Sequence, residues 1–238
     1  CRYIAYAVTL MQSVQDVHPD TGRFIVLADS YRDFTGLDTA AELIFCDDLG
    51  FELIANMKLW YVAKEFHAAI KPLVFRHMFD RLGFNEVVYI DPDILLFMPM
   101  NEVFAGLAEH NVVLVPQMMQ PLQDGKEPSD RTVRKSGGYN LGFMGIRNDP
   151  STRALIDWWA SRCYRYCQVD DAGNMFTDQR WMDLAPAFVP RPLILRHPGY
   201  NVAYWNLAHR KVRKAAKGTW LVDDGPLVSF HFSGGNPE

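Results

Sequence analysis

Short apolar runs alternate with segments of helical periodicity along this chain, and no other feature of the sequence constrains the fold as strongly. Runs such as FIVLAD (24–29) and EVVYI (86–90) have the length and composition of buried strands. Helical apolar spacing marks residues 4–17 and 56–82, and Pro72 should kink or restart the longer helix. Strands that alternate with helices predict an α/β fold with a mostly parallel central sheet flanked by helices.

The rest of the chain continues this pattern with less regular connections. Four further strands are predicted, at 42–48, 111–117, 139–146 and 226–232. Residues 118–138 are polar and contain Gly, Pro and Ser, which predicts a loop. A helix should follow the strand at 139–146, with Asp149 as its N-cap and Pro150 as its first residue. The aromatic, proline-rich segment 187–207 has no clear period.

The organisation of the chain suggests one domain. Neither a linker nor an internal repeat divides the 238 residues, so we expect a single domain that spans residues 1–238. The chain opens on Cys1 rather than on Met, without an N-terminal preamble, and it ends abruptly at SGGNPE. We therefore expect this domain to be cut from a longer polypeptide and to lack its first strand, and further domains of that polypeptide are expected partners.

Net charge and cysteine content limit the expected partners and the expected cellular location. A net charge of −4 gives no reason to expect nucleic acid or an anionic membrane as partner. No apolar run approaches the roughly 18–20 residues that span a bilayer. The four cysteines form no C-x-x-C pair, which favours a cytoplasmic location, with peripheral attachment at the inner face of the membrane as an alternative. Cys163 and Cys167 could share a helix face and bind a metal, although burial as small apolar residues is favoured.

Two acids interrupt the apolar stretch VVYIDPDILLFM (87–98). Asp91 and Asp93 follow a predicted strand at its carboxyl end, where open α/β sheets bind their ligands. Two carboxylates this close repel each other unless a proton or a cation neutralises them. A divalent ion such as Mg²⁺ or Mn²⁺, shared with substrate phosphates, would do so. From this pattern alone, an Asp-Pro turn with solvated acids is about equally favoured.

Four elements together resemble one enzyme family. VVYIDPDILLF resembles the D-x-D element of GT-A glycosyltransferases, and YNLGFMGIRN (139–148) resembles the N-x-G strand of the retaining family 8 enzymes, the glycogenin and lipopolysaccharide galactosyltransferase group. TDQRWMD (177–183) is similar to their D-Q-D-x-L-N element, and SFHFSG (229–234) to their H-F-x-G. All four occur in the family's order. The resemblance is closer still to a bacterial subgroup found within larger multidomain proteins.

This resemblance implies a GT-A fold and a metal-dependent hexosyltransferase. Such an enzyme moves a sugar from a nucleotide-diphosphate donor to a glycan or lipid-linked saccharide acceptor, with retention of configuration, for example in polysaccharide biosynthesis. The implied metal is Mn²⁺ or Mg²⁺, held by Asp91, Asp93 and His231. Without the resemblance, His231 would be read as a hydrogen-bonded core histidine.

The remaining roles are carried over from these four motifs and from AIKP, PSD and RHPGYNVAYWN, which have counterparts in the bacterial subgroup. The implied donor-binding residues are Lys71, Asp91, Asn140, Gly142 and Gly234. The implied catalytic residues are Asp178, Gln179 and Asp130, and Asp130 would hold sugar hydroxyls. The implied acceptor or sugar contacts are His197, Asn201 and Trp205, from HPGYNVAYWN (197–206). The family's G-x-x-K-P-W lysine has no counterpart in GGNPE, so Lys71 is assigned its phosphate contact, a solvated helix cation being the alternative.

Two other functions remain open at this point. A haloacid dehalogenase-type phosphatase also places D-x-D after an apolar strand, but it needs Thr or Val where this chain has Leu95. A non-catalytic GT-A-like domain that binds sugar or acts as a scaffold would explain the missing lysine. Metal-dependent hydrolysis of a nucleotide sugar separates the scaffold from the transferase.

Overall fold

The computed structural model describes residues 3–29, 39–122, 125, 127–215 and 218–234. Its α-helices are α1 (Ile4–Val17), α2 (Ile54–Trp60), α3 (Ala63–Ala69), α4 (Lys71–Asp80), α5 (Asn101–Glu109), α6 (Asp130–Ser136), α7 (Pro150–Cys163), α8 (Gln179–Met182) and α9 (Ala185–Phe188). Its strands are β1 (Phe24–Leu27), β2 (Glu42–Phe45), β3 (Glu86–Ile90), β4 (Ile94–Leu96), β5 (Val112–Pro116), β6 (Tyr139–Arg147), β7 (Val169–Asp170), β8 (Met175–Phe176), β9 (Pro192–Ile194), β10 (Val212–Lys214), β11 (Trp220–Val222), β12 (Gly225–Pro226) and β13 (Ser229–His231). Short 3-10 helices span Cys46–Asp48 and Tyr204–His209.

The central sheet is mixed, which corrects the expectation of a mostly parallel one. Its four strands lie in the order β3-β6-β5-β9. Strand β6 lies antiparallel to both β3 and β5, and only the β5–β9 pair is parallel. Strands β1 and β2 form a separate parallel pair. Apolar periodicity predicts that a strand is buried but carries no information on its direction, so the reversal of β6 was not visible in the sequence.

Two apolar cores cover the two faces of the sheet. All five residues of β5 are buried, and they alternate between the cores as a pleated strand requires. Val112 and Leu114 belong to the core that includes α4 and α7, whereas Val113 and Val115 belong to the one that includes α1 and α5. The α/β architecture predicted from the sequence is therefore confirmed.

The helical stretch predicted over 56–82 is divided into three helices. Breaks fall at Tyr61–Val62 and at Ile70, so α4 begins at Lys71. Pro72 lies in the first turn of α4, where its missing N–H has no intrahelical partner to lose. The restart that Pro72 predicts is confirmed. It places Lys71 at a buried helix start rather than on a solvated helix face.

Capping side chains fix where α6 and α7 begin. The Oδ1 atom of Asp149 accepts hydrogen bonds from the backbone N–H groups of Ser151 (2.8 Å) and Thr152 (3.2 Å), which confirms the predicted N-cap of α7. The predicted loop over 118–138 contains α6, whose N-cap is Ser129. A seven-residue polar helix has too short an apolar pattern to be recognised from its sequence.

The cysteine pair lies in the core. Cys163 and Cys167 are buried free thiols, and burial raises the pKa of both. The favoured interpretation of small buried residues is confirmed. Among the helices described, none is long and apolar enough to cross a membrane.

Candidate metal centre

Asp91, Asp93 and His231 meet beyond the carboxyl end of β3. One ligand atom from each lies within 4.8 Å of the others, and this is the one such group among the described residues. The pairing of β4 with β13 brings them together, because it sets His231 opposite Ile94, and Phe232 N–H donates to the Asp93 carbonyl at 2.8 Å. A histidine near the end of the chain is thereby fixed beside a turn in its middle.

Asp91 is oriented by its own strand and by β6. The Tyr89 hydroxyl, two residues earlier on the same face of β3, donates to Asp91 Oδ1 at 2.7 Å. The Asp91 backbone N–H donates to the Gly142 carbonyl at 2.7 Å. Its side chain is 27% exposed, so a ligand can still reach it.

Asp93 and His231 form a close pair. His231 Nε2 lies 3.1 Å from Asp93 Oδ1, and the imidazole is 4% exposed. Burial opposes ionisation of Asp93, but the hydrogen bond and charge of His231 outweigh it and lower the pKa of the carboxyl below its usual value. Asp93 is therefore held as an anion.

Gly142 gives the centre its space. A Cβ at this position would lie 2.7 Å from Asp91 Oδ2, 2.7 Å from His231 Cε1 and 2.8 Å from Asn140 Oδ1. No side chain fits within these distances, so the close approach of β6 requires glycine. Asn140 is buried, and its Oδ1 accepts from the Gly142 N–H at 3.0 Å. Asn140 and Gly142, both predicted for donor binding, thus lie against the candidate metal ligands.

Asn201 and Trp205 surround His231 rather than an open surface. Asn201 is fully buried with φ +48°, and its Oδ1 lies 3.2 Å from His231 Nδ1. The Trp205 ring meets the imidazole edge-on, with 5.2 Å between centroids. Within the described residues, Asn201 Nδ2 and Trp205 Nε1 are buried donors without a hydrogen-bond partner. Unpaired buried donors are uncommon, and oxygen atoms of a bound ligand would satisfy them.

Lys71 and Asp178 form a buried ion pair behind the centre. Lys71 Nζ lies 3.3 Å from Asp178 Oδ2 and 3.7 Å from Asp91 Oδ1, and it donates to the Leu141 carbonyl at 3.1 Å. Although burial opposes its charge, the carboxylates of Asp178 and Asp91 raise the pKa of Lys71 well above its usual value. Burial raises the pKa of Asp178, and Lys71 offsets only part of that effect. Lys71 is thus a buried counter-ion that links two acids.

Gln179 joins the strand and helix elements next to this pair. Its Oε1 accepts from Leu141 N–H at 3.0 Å, and its Nε2 donates to the Ser136 carbonyl at 2.7 Å. Both ends of the amide are therefore bonded to backbone. The side chain fixes the start of β6, where Asn140 lies.

Three predicted residues lie apart from these contacts. Asp130 is exposed in the first turn of α6 and accepts from Leu122 N–H at 2.8 Å. His197 is half-buried, accepts from Gly199 N–H at 3.1 Å, and packs edge-on against Tyr200. Gly234 is exposed with φ +76°, in the left-handed region that favours glycine.

The donor set fits a hard divalent cation. Two carboxylates and one imidazole supply oxygen and nitrogen ligands of the kind that Mn²⁺ and Mg²⁺ accept. The Asn201 carbonyl can accept only from a protonated Nδ1, which in the neutral ring leaves the Nε2 lone pair facing the Asp93 carboxylate. A proton or a cation relieves that repulsion, so the three residues fit a metal ion.

Sequence reasoning missed Tyr89, which both orients Asp91 and covers Lys71. The Lys71 ammonium lies 4.7 Å from the centre of the Tyr89 ring. The sequence did contain a signal for this role of Tyr89. Tyr89 comes two residues before Asp91, and residues i and i+2 of an extended chain share a face.

Comparison with solved structures shows the same fold in several glycosyltransferases. The galactosyltransferase LgtC, solved with donor and acceptor sugar analogs, matches 98% of this chain and 84% of its own, at 19% identity and a TM-score of 0.54. Mouse xyloside xylosyltransferase 1 matches 100% of this chain and 94% of its own, at 13% identity and a TM-score of 0.56. The bifunctional glycosyltransferase WbbM covers 99% of this chain at a TM-score of 0.54. The predicted GT-A fold is confirmed.

Comparison with curated sequences finds two relatives, whereas comparison with family models finds no match. No family model matches the chain. YfnF of Bacillus subtilis (strain 168), an uncharacterized protein, is 26% identical over 232 residues, which cover 96% of this chain and 77% of YfnF. YfnD of the same strain, also uncharacterized, is 26% identical over 173 residues, which cover 71% of this chain and 53% of YfnD.

Proposed function

We propose that this protein is a metal-dependent glycosyltransferase that uses a nucleotide-diphosphate sugar as donor and a glycan or lipid-linked saccharide as acceptor. The single observation that carries the proposal is the convergence of Asp91, Asp93 and His231 within 4.8 Å in a GT-A fold. The structural neighbours, solved as a galactosyltransferase and a xylosyltransferase, support the reaction class. Its proposed biological role is polysaccharide biosynthesis.

The proposed metal is Mn²⁺ or Mg²⁺, with Asp91, Asp93 and His231 as its protein ligands. When bound, such an ion withdraws negative charge from a leaving diphosphate as a Lewis acid. Tyr89 and Asn201 orient the ligands, and Gly142 leaves room for the donor to approach. The buried donors Asn201 Nδ2 and Trp205 Nε1 would meet oxygen atoms of the donor or the acceptor.

Asp178 is the proposed acid beneath the reacting sugar. Its carboxylate is 1% exposed and has Lys71 as its counter-ion. A buried negative charge near the anomeric carbon would stabilise the positive charge that develops there during transfer. Retention of configuration is proposed from the family 8 resemblance, and the free thiols of the described cysteines fit the proposed cytoplasmic location.

A panel of donors tests the proposal. Wild-type protein is incubated with UDP-, GDP- and dTDP-sugars and Mn²⁺ or Mg²⁺, and release of nucleotide is measured alongside donor binding by calorimetry. We expect one donor to be bound and slowly hydrolysed, with both signals lost in Asp93→Ala and in chelator. Asp157→Ala is the matched control, because this acid is 69% exposed on α7. Anomer analysis of the product by NMR then tests retention.

A non-catalytic sugar-binding or scaffold domain is the competing function. It is favoured by the burial of Lys71, the proposed phosphate-binding residue. The same panel separates the two functions. Metal-dependent binding without turnover, in the presence of a range of glycan acceptors, would support the scaffold. The fold comparisons weigh against the phosphatase alternative.

A further inference from the structure

Arg210 is a buried cation outside the metal centre. It follows the 3-10 helix Tyr204–His209 and is 4% exposed. Its Nη1 donates to the Tyr200 carbonyl at 2.8 Å, whereas its Nη2 is buried and has no hydrogen-bond partner among the described residues. Burial lowers the pKa of Arg210 to about 10, although the charge of Asp223 acts in the opposite direction. The guanidinium is still charged near neutral pH, so the fold holds a poorly compensated charge in its interior.

This charge argues against a role for Arg210 in the stability of the fold. Burying an ion without a close counter-ion costs free energy, and apolar replacements of buried charges are often neutral or stabilising. A charged donor does, however, form a hydrogen bond that is roughly twice as strong as that of a neutral donor. The function of Arg210 is therefore to be sought in its hydrogen bond to the Tyr200 carbonyl.

The Tyr200 carbonyl belongs to the peptide bond that leads into Asn201. With φ +48°, Asn201 does not continue a regular strand, and buried side chains bind the backbone around it instead. The Asn201 N–H donates to Ser229 Oγ at 2.8 Å, and the Asn201 carbonyl accepts from Asn206 Nδ2 at 3.0 Å. The carbonyl before it accepts from Arg210. Each polar group of this short segment thus has its own side-chain partner.

The orientation of this peptide bond affects a candidate metal ligand. Asn201 Oδ1 lies 3.2 Å from His231 Nδ1, and rotation of the peptide plane before Asn201 would change its φ and redirect its side chain. We propose that Arg210 is a positioning residue of the metal centre, which fixes the Asn201 amide against His231 by holding the Tyr200 carbonyl. Arg210 acts through Asn201 and is not itself a ligand. This inference rests on the proposed metal site and adds a residue that orients it.

The other contacts of Tyr200 keep the effect of Arg210 local. The Tyr200 hydroxyl donates to Glu102 Oε2 at 2.7 Å. Its ring is fully buried and packs edge-on against Phe143, with 5.6 Å between centroids. These contacts hold the Tyr200 side chain whether or not its carbonyl has a donor. Loss of the guanidinium should therefore free the peptide bond before Asn201 without displacing the ring.

Calorimetric titration of Mn²⁺, together with urea unfolding, tests this role. Arg210→Met should weaken Mn²⁺ binding about 10-fold, as loss of residues that orient metal ligands does. Its urea midpoint should stay close to that of wild type, because the carbonyl left without a donor and the removed buried charge act in opposite directions. Arg210→Lys keeps a charged donor and should restore most of the affinity. Arg213→Met is the matched control, because Arg213 lies on β10 with its side chain 54% exposed, and it should bind Mn²⁺ like wild type.

A double-mutant cycle shows whether Arg210 acts through Asn201. Asn201→Gly removes the amide, so Arg210→Met should cause no further loss of Mn²⁺ affinity in that background. Additive losses would overturn the proposal, as would wild-type affinity in Arg210→Met, an equal loss in Arg213→Met, or no recovery in Arg210→Lys. Unfolding of Arg210→Met would also overturn it, because Arg210 would then be required for the fold. If the wild-type protein binds no Mn²⁺, the proposed metal site fails and this inference fails with it, whereas each of the other outcomes leaves that site intact.

Discussion

Asn201 Oδ1 lies 3.2 Å from His231 Nδ1, while the opposite ring nitrogen of His231 faces Asp93 at 3.1 Å. The buried amide oxygen accepts from a protonated Nδ1, so a metal bound at Nε2 would take the place of the proton that faces Asp93. Asn201 also occupies the left-handed backbone region, with φ +48°, which asparagine tolerates better than most residues. One residue thus satisfies a backbone requirement and orients a ligand.

Replacing Asn201 should weaken metal binding without unfolding the protein. Asn201→Gly keeps the backbone conformation but removes the acceptor for His231 Nδ1, so Mn²⁺ affinity should fall about 10- to 100-fold. Asn201→Asp retains an acceptor at the same place and should bind at least as tightly as Asn201→Gly. Calorimetric titration of Mn²⁺ measures both. Equal affinities for Asn201→Gly and wild type would show that the amide does not orient the histidine.

A methyl group at Gly142 should block the centre. Its Cβ would lie 2.7 Å from both Asp91 Oδ2 and His231 Cε1, so Gly142→Ala should abolish Mn²⁺ binding. Gly145→Ala on the same strand is the control, because the atoms nearest to its Cβ would belong to the Leu107 side chain, from 3.1 Å. Both variants should lose about 1–3 kcal/mol of unfolding free energy by overpacking. Metal binding that survives Gly142→Ala would contradict the placement of the site.

The buried pair of Lys71 and Asp178 should be costly to break from one side. Lys71→Met leaves a buried carboxylate without its counter-ion and should reduce the free energy of unfolding by about 3–5 kcal/mol. Adding Asp178→Leu removes that stranded charge and should recover part of the loss. Urea unfolding of the two single variants and the double variant gives the coupling. Additive losses would mean that the two groups do not interact.

Stability at low pH should depend on the N-cap of α7. Asp149 accepts hydrogen bonds from Ser151 and Thr152, and although burial acts against ionisation, these bonds and those from Asn111 and the Ser151 hydroxyl lower its pKa. A carboxyl whose folded pKa is lowered contributes stability above its unfolded pKa, near 4, and that contribution is lost as pH falls through the folded value. Asp149→Ser retains a cap without a charge, so it should be less sensitive to acid below about pH 4. Identical acid denaturation curves would contradict this assignment.

The individual elements were predictable because each depends on a local pattern. EVVYI gave the bounds of β3, and Asp149 with Pro150 gave the start of α7. The direction of β6 was not predictable, because antiparallel and parallel strands share the same period of two. Helix α6 was missed because its cap, Ser129, lies in a stretch whose composition is that of a loop.

The site was only partly predictable for a related reason. Asp91, Asp93 and His231 were grouped by resemblance, and the β4–β13 pairing gives that grouping a physical basis. Asn201 was expected at a sugar, but the structure buries it against His231. Contacts of this kind depend on register between distant strands, which no local window of sequence contains.

A crystal structure with Mn²⁺ and the nucleoside diphosphate of the donor that the panel identifies tests the central claim most directly, through the anomalous signal of the metal. We expect one strong peak bounded by Asp91, Asp93 and His231, at about 2.0–2.4 Å from their oxygen and nitrogen atoms, and in contact with the diphosphate. A diphosphate bound elsewhere, or three side chains that remain together with no metal between them, would contradict it.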